Sequence, residues 1–149
     1  MQPVERPLRM QQIELYFDGA SRSNPGPAGA GWLVKSDQGL QQTGTHYLGI
    51  ATNNEAEYTG LILALEWLIE HCNPSNCHVT VKGDSQLIIK QLCGEYAVRA
   101  RHLRKFYSRV ITLLRKFKKW DASWVPRFEN TIADELANSA LDKRKAERK

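Results

Sequence analysis

The sequence predicts an α/β protein whose sheet contains both antiparallel and parallel strands. Three strand-like segments come first and are joined by short turns, which favours an antiparallel meander. A helical segment then leads to a further strand, and a helical connection favours a parallel partner for the first strand. The 149 residues fit one domain, residues 1–149, with a core of ordinary size.

The opening strand is predicted from alternating apolar and polar side chains over residues 13–17. We expect this strand to end at Asp18, where the alternation stops and Gly19 lets the backbone turn. The Asn-Pro-Gly-Pro sequence at 24–27 excludes helix and supplies a turn. The second and third strands are predicted at the ranges 30–35 and 40–48, and residues 1–11 are predicted to be a flexible arm.

A helix is predicted to open at Thr52, which has capping-box spacing with Glu55, and to stop before Pro74. A strand at 78–84 ends on Asp84 and is followed by a short helix from Ser85. The later predicted elements are a basic helix at 99–119, a strand at 120–125, a final helix from 130 and a charged tail at 142–149.

Four acidic residues stand at boundaries between these elements. Asp18 and Asp84 follow two strands predicted to be parallel, so both should lie at the edge where open α/β sheets bind ligands. Glu57 and Asp134 lie near the starts of two helices. Each acid also has a purely structural explanation: an aspartate accepts hydrogen bonds in turns, the helix dipole favours Glu57, and Asp134 has capping-box spacing with Thr131.

The formal net charge of +5 conceals an asymmetry between the two halves of the chain. Residues 1–74 carry four Lys or Arg against eight acids, whereas residues 75–149 carry seventeen against eight. Nine basic residues fall within 99–119, which contains no acid. A solvated helix face is one explanation, but so many charges of one sign favour a surface that faces phosphates.

The three cysteines and the hydropathy of the chain limit other classes of function. Cys72 and Cys77 raise the possibility of a zinc site, although their spacing fits structural zinc sites poorly and reduced thiols are the simpler expectation. No segment approaches the roughly 18 apolar residues that a membrane span needs. We therefore expect a soluble, cytoplasmic protein.

Four motifs occur in order along the chain: Phe-Asp-Gly-Ala at 17–20 with Asn-Pro-Gly at 24–26, Thr-Asn-Asn-Glu-Ala-Glu at 52–57, Gly-Asp-Ser-Gln at 83–86, and Asn130 with Ala-Asp-Glu-Leu-Ala at 133–137. Together they resemble the type 1 ribonuclease H family, in a compact, archaeal-like form without a basic protrusion. The resemblance implies a five-stranded mixed sheet, an antiparallel meander plus two parallel strands, with helices on both faces. It also implies that Asp18, Glu57, Asp84 and Asp134 are catalytic and bind metal.

By this resemblance the protein uses two Mg²⁺ ions, or Mn²⁺, to hydrolyse the RNA strand of RNA–DNA hybrids, leaving 5′-phosphate and 3′-hydroxyl ends. Clustered carboxylates suit this chemistry because hard divalent ions prefer oxygen ligands and two ions can serve the attacking and leaving oxygens. The residues expected to contact the hybrid are Gly19, Asn24, Asn54 and Gln86, with Arg99, Arg101 and Lys105 of the basic segment as an electrostatic grip.

Two alternatives remain open, a hybrid-binding module without turnover and a related nuclease that also cuts double-stranded RNA. No base-reading group is evident, so cleavage should be largely independent of sequence, and a monomer is expected. Many bacterial members of the family have a histidine in the loop before the last aspartate. The corresponding loop here, 125–130, contains none and offers only Arg127 or Glu129 as a partial substitute.

Overall fold

The structure is a computed structural model that describes residues 9–147. Residues 1–8 of the predicted arm lie outside this range, and Gln11 already belongs to the first strand. The elements are β1 (Gln11–Ser21), β2 (Gly26–Ser36), β3 (Gln41–Ala51), α1 (Asn53–His71), β4 (Cys77–Gly83), α2 (Gln86–Leu92), α3 (Arg101–Leu114), β5 (Lys119–Trp124) and α4 (Thr131–Glu147), with short 3₁₀ turns at Pro74–Asn76 and Arg127–Glu129.

The five strands form one mixed sheet in the order β3-β2-β1-β4-β5. β1 pairs antiparallel with β2, and β2 pairs antiparallel with β3. β4 pairs parallel with both β1 and β5. This arrangement confirms the predicted meander plus two parallel strands.

The prediction that the first strand ends at Asp18 is wrong. β1 continues to Ser21 because its antiparallel pairing with β2 continues, with Asp18 opposite Gly31 and Ser21 opposite Ala28. The parallel pairing with β4 does stop earlier, at Tyr16 opposite Lys82. Asp18 therefore lies where β1 leaves one neighbour while the other still holds it in a strand.

The helices lie on both faces of the sheet, as predicted. Inward side chains of β1 and β4 pack with α1 and α3 in the main apolar core, which includes Leu15, Val81, Leu65 and Leu114. On the other face α4 crosses β2 very closely, since a Cβ on Gly31 would lie 2.3 Å from the backbone oxygen of Ala133. Because glycine has no side chain, α4 can approach the sheet closely at this position.

The basic segment is not one continuous helix, contrary to the prediction for 99–119. α3 covers Arg101–Leu114 only. The chain then turns, Phe117 enters the core, and the backbone N–H of Lys118 donates to the carbonyl of Pro74 at 2.9 Å. β5 begins directly afterwards at Lys119, so pairing with β4 takes the place of further helix.

The charged tail predicted at 142–149 continues α4 as far as Glu147. Arg148 and Lys149 lie outside the described residues. Buried Ala133, Ala137 and Leu141 hold the helix against the sheet while the charged side chains 142–145 are exposed.

The structure also bears on the zinc site and the membrane span considered from the sequence. The Cys72 and Cys77 thiols donate to backbone carbonyls at 2.9 and 3.1 Å, and burial raises the pKa of Cys72 to about 12, which opposes the thiolate that zinc requires. Within residues 9–147, no helix has the length and apolarity needed to cross a membrane.

Candidate active site

A cleft of about 910 Å³ opens at the carboxyl ends of β1 and β4, where these two strands separate. The side chains of Asp18, Glu57, Asp84 and Asp134 all line it. Carboxylate oxygens of Asp18, Glu57 and Asp84 lie within 4.8 Å of one another. Four acids that are far apart in sequence therefore meet in one place.

The parallel register of β1 and β4 brings the two aspartates together. Tyr16 is opposite Lys82, and each strand reaches its aspartate two residues later, at Asp18 and Asp84. Asp18 remains in β1 and is buried, whereas Asp84 follows the last residue of β4 and is half-buried. The aspartate that stays paired with β2 is thus the less accessible of the two.

Glu57 is placed by the start of α1. Thr52 caps the helix, with its hydroxyl accepting from the N–H of Glu55 at 3.1 Å and the Glu55 carboxylate accepting from the N–H of Thr52 at 2.9 Å. A Cβ on Gly19 would lie 2.3 Å from the backbone nitrogen of Glu57. Gly19 therefore lets β1 touch the first turn of α1 and brings Glu57 beside Asp18.

Asp134 is placed by Asn130, which comes directly before α4. The Asn130 side chain is buried and donates to the carbonyl of Phe17 at 2.9 Å, and its backbone oxygen accepts from the N–H of Asp134 at 3.1 Å. One turn later, the Asn138 amide donates to an Asp134 carboxylate oxygen at 3.3 Å. The start of α4 is thus fastened to β1 next to Asp18.

The electrostatic environment opposes negative charge in the cleft. Burial, and then the charge of Asp84, raises the pKa of Asp18 to about 8. The same two causes raise the pKa of Glu57 to about 7, although Ser85 and the Arg127 cation partly oppose that rise. The Nε of Arg127 lies 3.7 Å from Asp84 Oδ2, but its side chain is 82% exposed and screened by solvent. Without further positive charge, Asp18 and Glu57 therefore tend to hold protons.

The donor set fits divalent metal ions. Glu57 Oε2 is buried and has no hydrogen-bond partner among the described residues, an arrangement that costs free energy unless something binds it. Three carboxylates offering oxygens within 4.8 Å also match the oxygen coordination that Mg²⁺ and Mn²⁺ prefer. A cation here would relieve both the unpaired oxygen and the mutual repulsion of the acids.

Only some of the residues that were expected to contact substrate line the cleft. Gly19, Asn24 and Asn54 line the cleft, and Asn24 accepts a hydrogen bond from the N–H of Asn53 at 3.1 Å. Gln86 is exposed at the start of α2 and does not line the cleft. Arg99 lines a neighbouring pocket of about 410 Å³ that shares Asn54 with the cleft.

The basic segment extends from this neighbouring pocket to the opposite edge of the sheet. Arg101 and Lys105 are exposed in the first turns of α3, near His102, which lines the pocket. In the middle of the helix, Arg109 lies 3.7 Å from Glu66 of α1. Lys118 lies beside Pro74, before β4 begins and therefore far from Asp84 at the end of that strand. The segment is continuous in sequence but does not form a single surface at the cleft.

Trp124 and Asn138 also line the cleft, and neither was predicted from the sequence as a site residue. The indole of Trp124 donates to the backbone oxygen of Asp84 at 3.1 Å, and this aromatic side chain is 47% exposed. Its position at the end of a strand parallel to β4 could have indicated it. Asn138 lines the cleft one helical turn after Asp134, and that four-residue spacing was a usable signal.

Comparisons of the sequence identify related proteins. A family model described as reverse transcriptase-like matches residues 16–140. Ribonuclease HI of Halobacterium salinarum is 45% identical over 140 residues, which cover 93% of this chain and 69% of that protein. The bifunctional protein Rv2228c of Mycobacterium tuberculosis is 39% identical over 134 residues, and the matched region spans 36% of its length.

Solved structures give the same relationship. The crystal structure of RNase H1 from Halobacterium salinarum superposes with a TM-score of 0.82 at 44% identity, covering 89% of this chain and 98% of that one. LC11-RNase H1, solved in complex with an RNA/DNA hybrid, has a TM-score of 0.82 at 36% identity, with the same coverage of both chains. Sequence, fold and the four ordered motifs agree, and the chain belongs to the type 1 ribonuclease H family.

Proposed function

We propose that this protein is a metal-dependent endoribonuclease that hydrolyses the RNA strand of RNA–DNA hybrids and leaves 5′-phosphate and 3′-hydroxyl ends. The observation that carries the proposal is the group of carboxylates within 4.8 Å of one another, one of which has a buried, unpaired oxygen. The likeness to LC11-RNase H1, which was solved with an RNA/DNA hybrid, supports the choice of substrate.

Asp18, Glu57, Asp84 and Asp134 are the residues that would hold two Mg²⁺ or Mn²⁺ ions, with Asp18 in the central position. Bound ions of this kind activate an attacking water and stabilise the leaving oxygen in phosphodiester hydrolysis. The protein contributes a fixed arrangement, because strand pairing holds Asp18 and the capped end of α1 holds Glu57. Little side-chain reorganisation is then needed when substrate binds.

Polar groups around the acids would position the hybrid. Gly19, Asn24 and Asn54 line the cleft and offer amide groups suited to ribose hydroxyl and phosphate oxygens. Arg127 is the cation of the loop after β5 and faces Asp84, whereas Glu129 lies outside the cleft. Arg127 is therefore the better candidate to contact a substrate phosphate where bacterial relatives use a histidine.

The test is a cleavage assay on three labelled duplexes of one sequence, RNA–DNA hybrid, RNA duplex and DNA duplex, with Mg²⁺ and then Mn²⁺. We expect metal-dependent cutting of the RNA strand in the hybrid, with 5′-phosphate products. Asp84→Asn should abolish cutting because it removes one of the clustered negative charges. Asp121→Asn is the matched control, since Asp121 is an exposed acid outside the cleft.

Three results would contradict or change the proposal. Equal cutting by wild type and Asp84→Asn would reject the carboxylate cluster as the catalytic centre. Hybrid binding without cutting in either metal would make the protein a binding module. Cutting of the RNA duplex at a comparable rate would broaden the substrate class to double-stranded RNA.

A further inference from the structure

A separate, smaller pocket of about 260 Å³ lies beside the candidate active site and has no role in the reaction described above. Three cations from two parts of the chain line it, Arg22 from the turn after β1 and Arg144 and Lys145 from α4. Tyr47 of β3 forms part of its wall. A concave site lined by several cations and an aromatic ring is suited to an anion.

The helix α4 connects this pocket to the cleft. Asp134 and Asn138 line the cleft, and Leu141 and Lys145 line the pocket. Their spacings of four, three and four residues place them along one side of the helix. At 1.5 Å per residue, Lys145 lies about 16 Å along the axis from Asp134. The turn after β1 makes a second connection, since Arg22 lies between Ser21 and Asn24 of the cleft.

Within the described residues, acids balance the charge of Arg22 only weakly and pair with Lys145 not at all. Arg22 pairs with Asp142 at 2.8 Å, but both side chains are about half exposed or more, so solvent weakens this pair. The Arg144 guanidinium lies over the Tyr47 ring at 5.4 Å.

We propose that this pocket binds a backbone phosphate of the same hybrid that lies in the cleft, a claim that rests on the proposed function. For a duplex that runs along α4, the 16 Å between Asp134 and Lys145 corresponds to about five nucleotide steps, because phosphates advance by about 3.4 Å per step along each strand. Arg144 and Lys145 hold the duplex on one side of the cut, and the basic end of α3 holds it elsewhere. The site extends the footprint on the substrate without reading its sequence.

The experiment uses hybrids whose RNA is confined to a short central block, so that the position of cleavage is fixed. One flanking duplex arm at a time is shortened from about ten to about three base pairs, which brackets the five-step distance. We measure kcat/KM for wild type, for Arg144→Gln/Lys145→Gln, and for Lys116→Gln/Lys118→Gln. The last variant removes the same charge at a site remote from the cleft, and melting curves check that each variant folds.

Wild type should fall by about three- to tenfold in kcat/KM when one particular arm becomes shorter than about five pairs, the range expected for two exposed ionic interactions. Arg144→Gln/Lys145→Gln should show this reduction already with long arms and no further reduction on shortening. The control variant should follow wild type. If Arg144→Gln/Lys145→Gln keeps the arm dependence of wild type, the pocket does not bind the hybrid, although the nuclease assignment stands. If wild type cuts no hybrid at all, the proposed function fails and this assignment fails with it.

Discussion

The carboxylate cleft and the basic segment 99–119 differ in how sequence relates to space. The cleft gathers acids from β1, α1, the end of β4 and α4, which are separated by tens of residues. The basic segment is continuous in sequence, yet one end lies near the cleft and the other lies by Pro74 at the opposite edge of the sheet. Strand topology therefore predicts a shared site better than a run of like charges does.

The two regions also differ in burial, and burial sets how strongly a substitution should act. Asp18 is 6% exposed and its pKa is raised by that burial, whereas Arg101 and Lys105 are exposed. A buried group has few ways to compensate for a change, while water and salt replace an exposed charge at little cost. Substitutions in the cleft should have large effects, and those in the basic segment small ones.

The largest expected effect is that of Asp18→Asn on activity. Replacing the central carboxylate should lower the rate of hybrid cleavage by about 10³-fold or more, because groups that bind catalytic metal ions contribute several kcal/mol. The same variant should melt at a higher temperature than wild type in metal-free buffer at pH 8, since it removes a buried acid whose charge is disfavoured. A cleavage assay and a melting curve test both parts, and loss of activity together with lower stability would contradict the second.

The next largest effect should come from Gly19→Ala, which adds one methyl group where β1 meets α1. Its Cβ would lie 2.3 Å from the nitrogen of Glu57 and 2.4 Å from the carbonyl carbon of Ala56, both backbone atoms that cannot swing away. We expect about 1–3 kcal/mol lower stability from overpacking. Activity should fall about 10²-fold because a shift near 1 Å displaces Glu57 from the other acids.

Gly49→Ala is the control for Gly19→Ala. Gly49 has φ of +84°, and a Cβ there meets no atom within 4 Å, so alanine adds backbone strain without a clash. It should lower stability by about 1 kcal/mol and leave kcat/KM within about twofold of wild type. Equal loss of activity in both variants would mean that reduced stability, not displacement of Glu57, explains the effect.

The third prediction concerns pH and metal. The folded-state pKa values of Asp18 and Glu57, about 8 and 7, lie above the ordinary values of 3.8 and 4.5. Between about pH 4 and pH 8 the folded protein holds protons that the unfolded chain releases. These two groups therefore make their full contribution to stability below about pH 4, and that contribution is lost as pH rises through 7 to 8. Metal-free melting temperatures should fall by several degrees from about pH 5 to 9.

Adding Mg²⁺ should restore the stability lost at high pH and do little at pH 5, because metal binding requires deprotonated carboxylates. Asp18→Asn should flatten both the metal-free pH dependence and the response to Mg²⁺. Melting temperatures that stay constant or rise with pH in the presence of a chelator would show that burial does not raise the pKa values of Asp18 and Glu57.

The arrangement of the strands around the site could be predicted because each strand has its own sequence pattern. The alternation over 13–17 and the strand ending at Asp84 define β1 and β4, and a helical connection makes them parallel. The continuation of β1 past Asp18 was not predictable from alternation, since it depends on pairing with Gly31 across the sheet. The placement of Asp134 was likewise hidden, because it depends on the Asn130 side chain reaching Phe17 more than a hundred residues away.

The predicted extent of the basic helix, 99–119, was wrong for a different reason. Its amphipathic pattern is present in both α3 and the following turn, since Phe117 is buried although it is not helical. No local signal places the boundary at Leu114, where pairing of the next residues with β4 takes over. The pattern of charge also gave no warning that Glu66, from another helix, would lie near Arg109.

The smallest predicted effect separates the two ends of this segment. Arg101→Gln/Lys105→Gln and Lys116→Gln/Lys118→Gln remove the same charge, but only the first pair lies near the pocket that adjoins the cleft. Titrations of hybrid binding between about 50 and 200 mM salt give the slope of log K against log salt, which should shrink by about 0.9 for each phosphate that the variant no longer neutralises. We expect a smaller slope and about threefold weaker binding for the first variant, and the wild-type slope for the second.

Equal changes in both variants would mean that the hybrid reaches the far end of the sheet and that the whole segment acts as one surface. No change in either would return the charges of α3 to the role of a solvated helix face, and the grip on the substrate would then have to come from the cleft and the loop that carries Arg127.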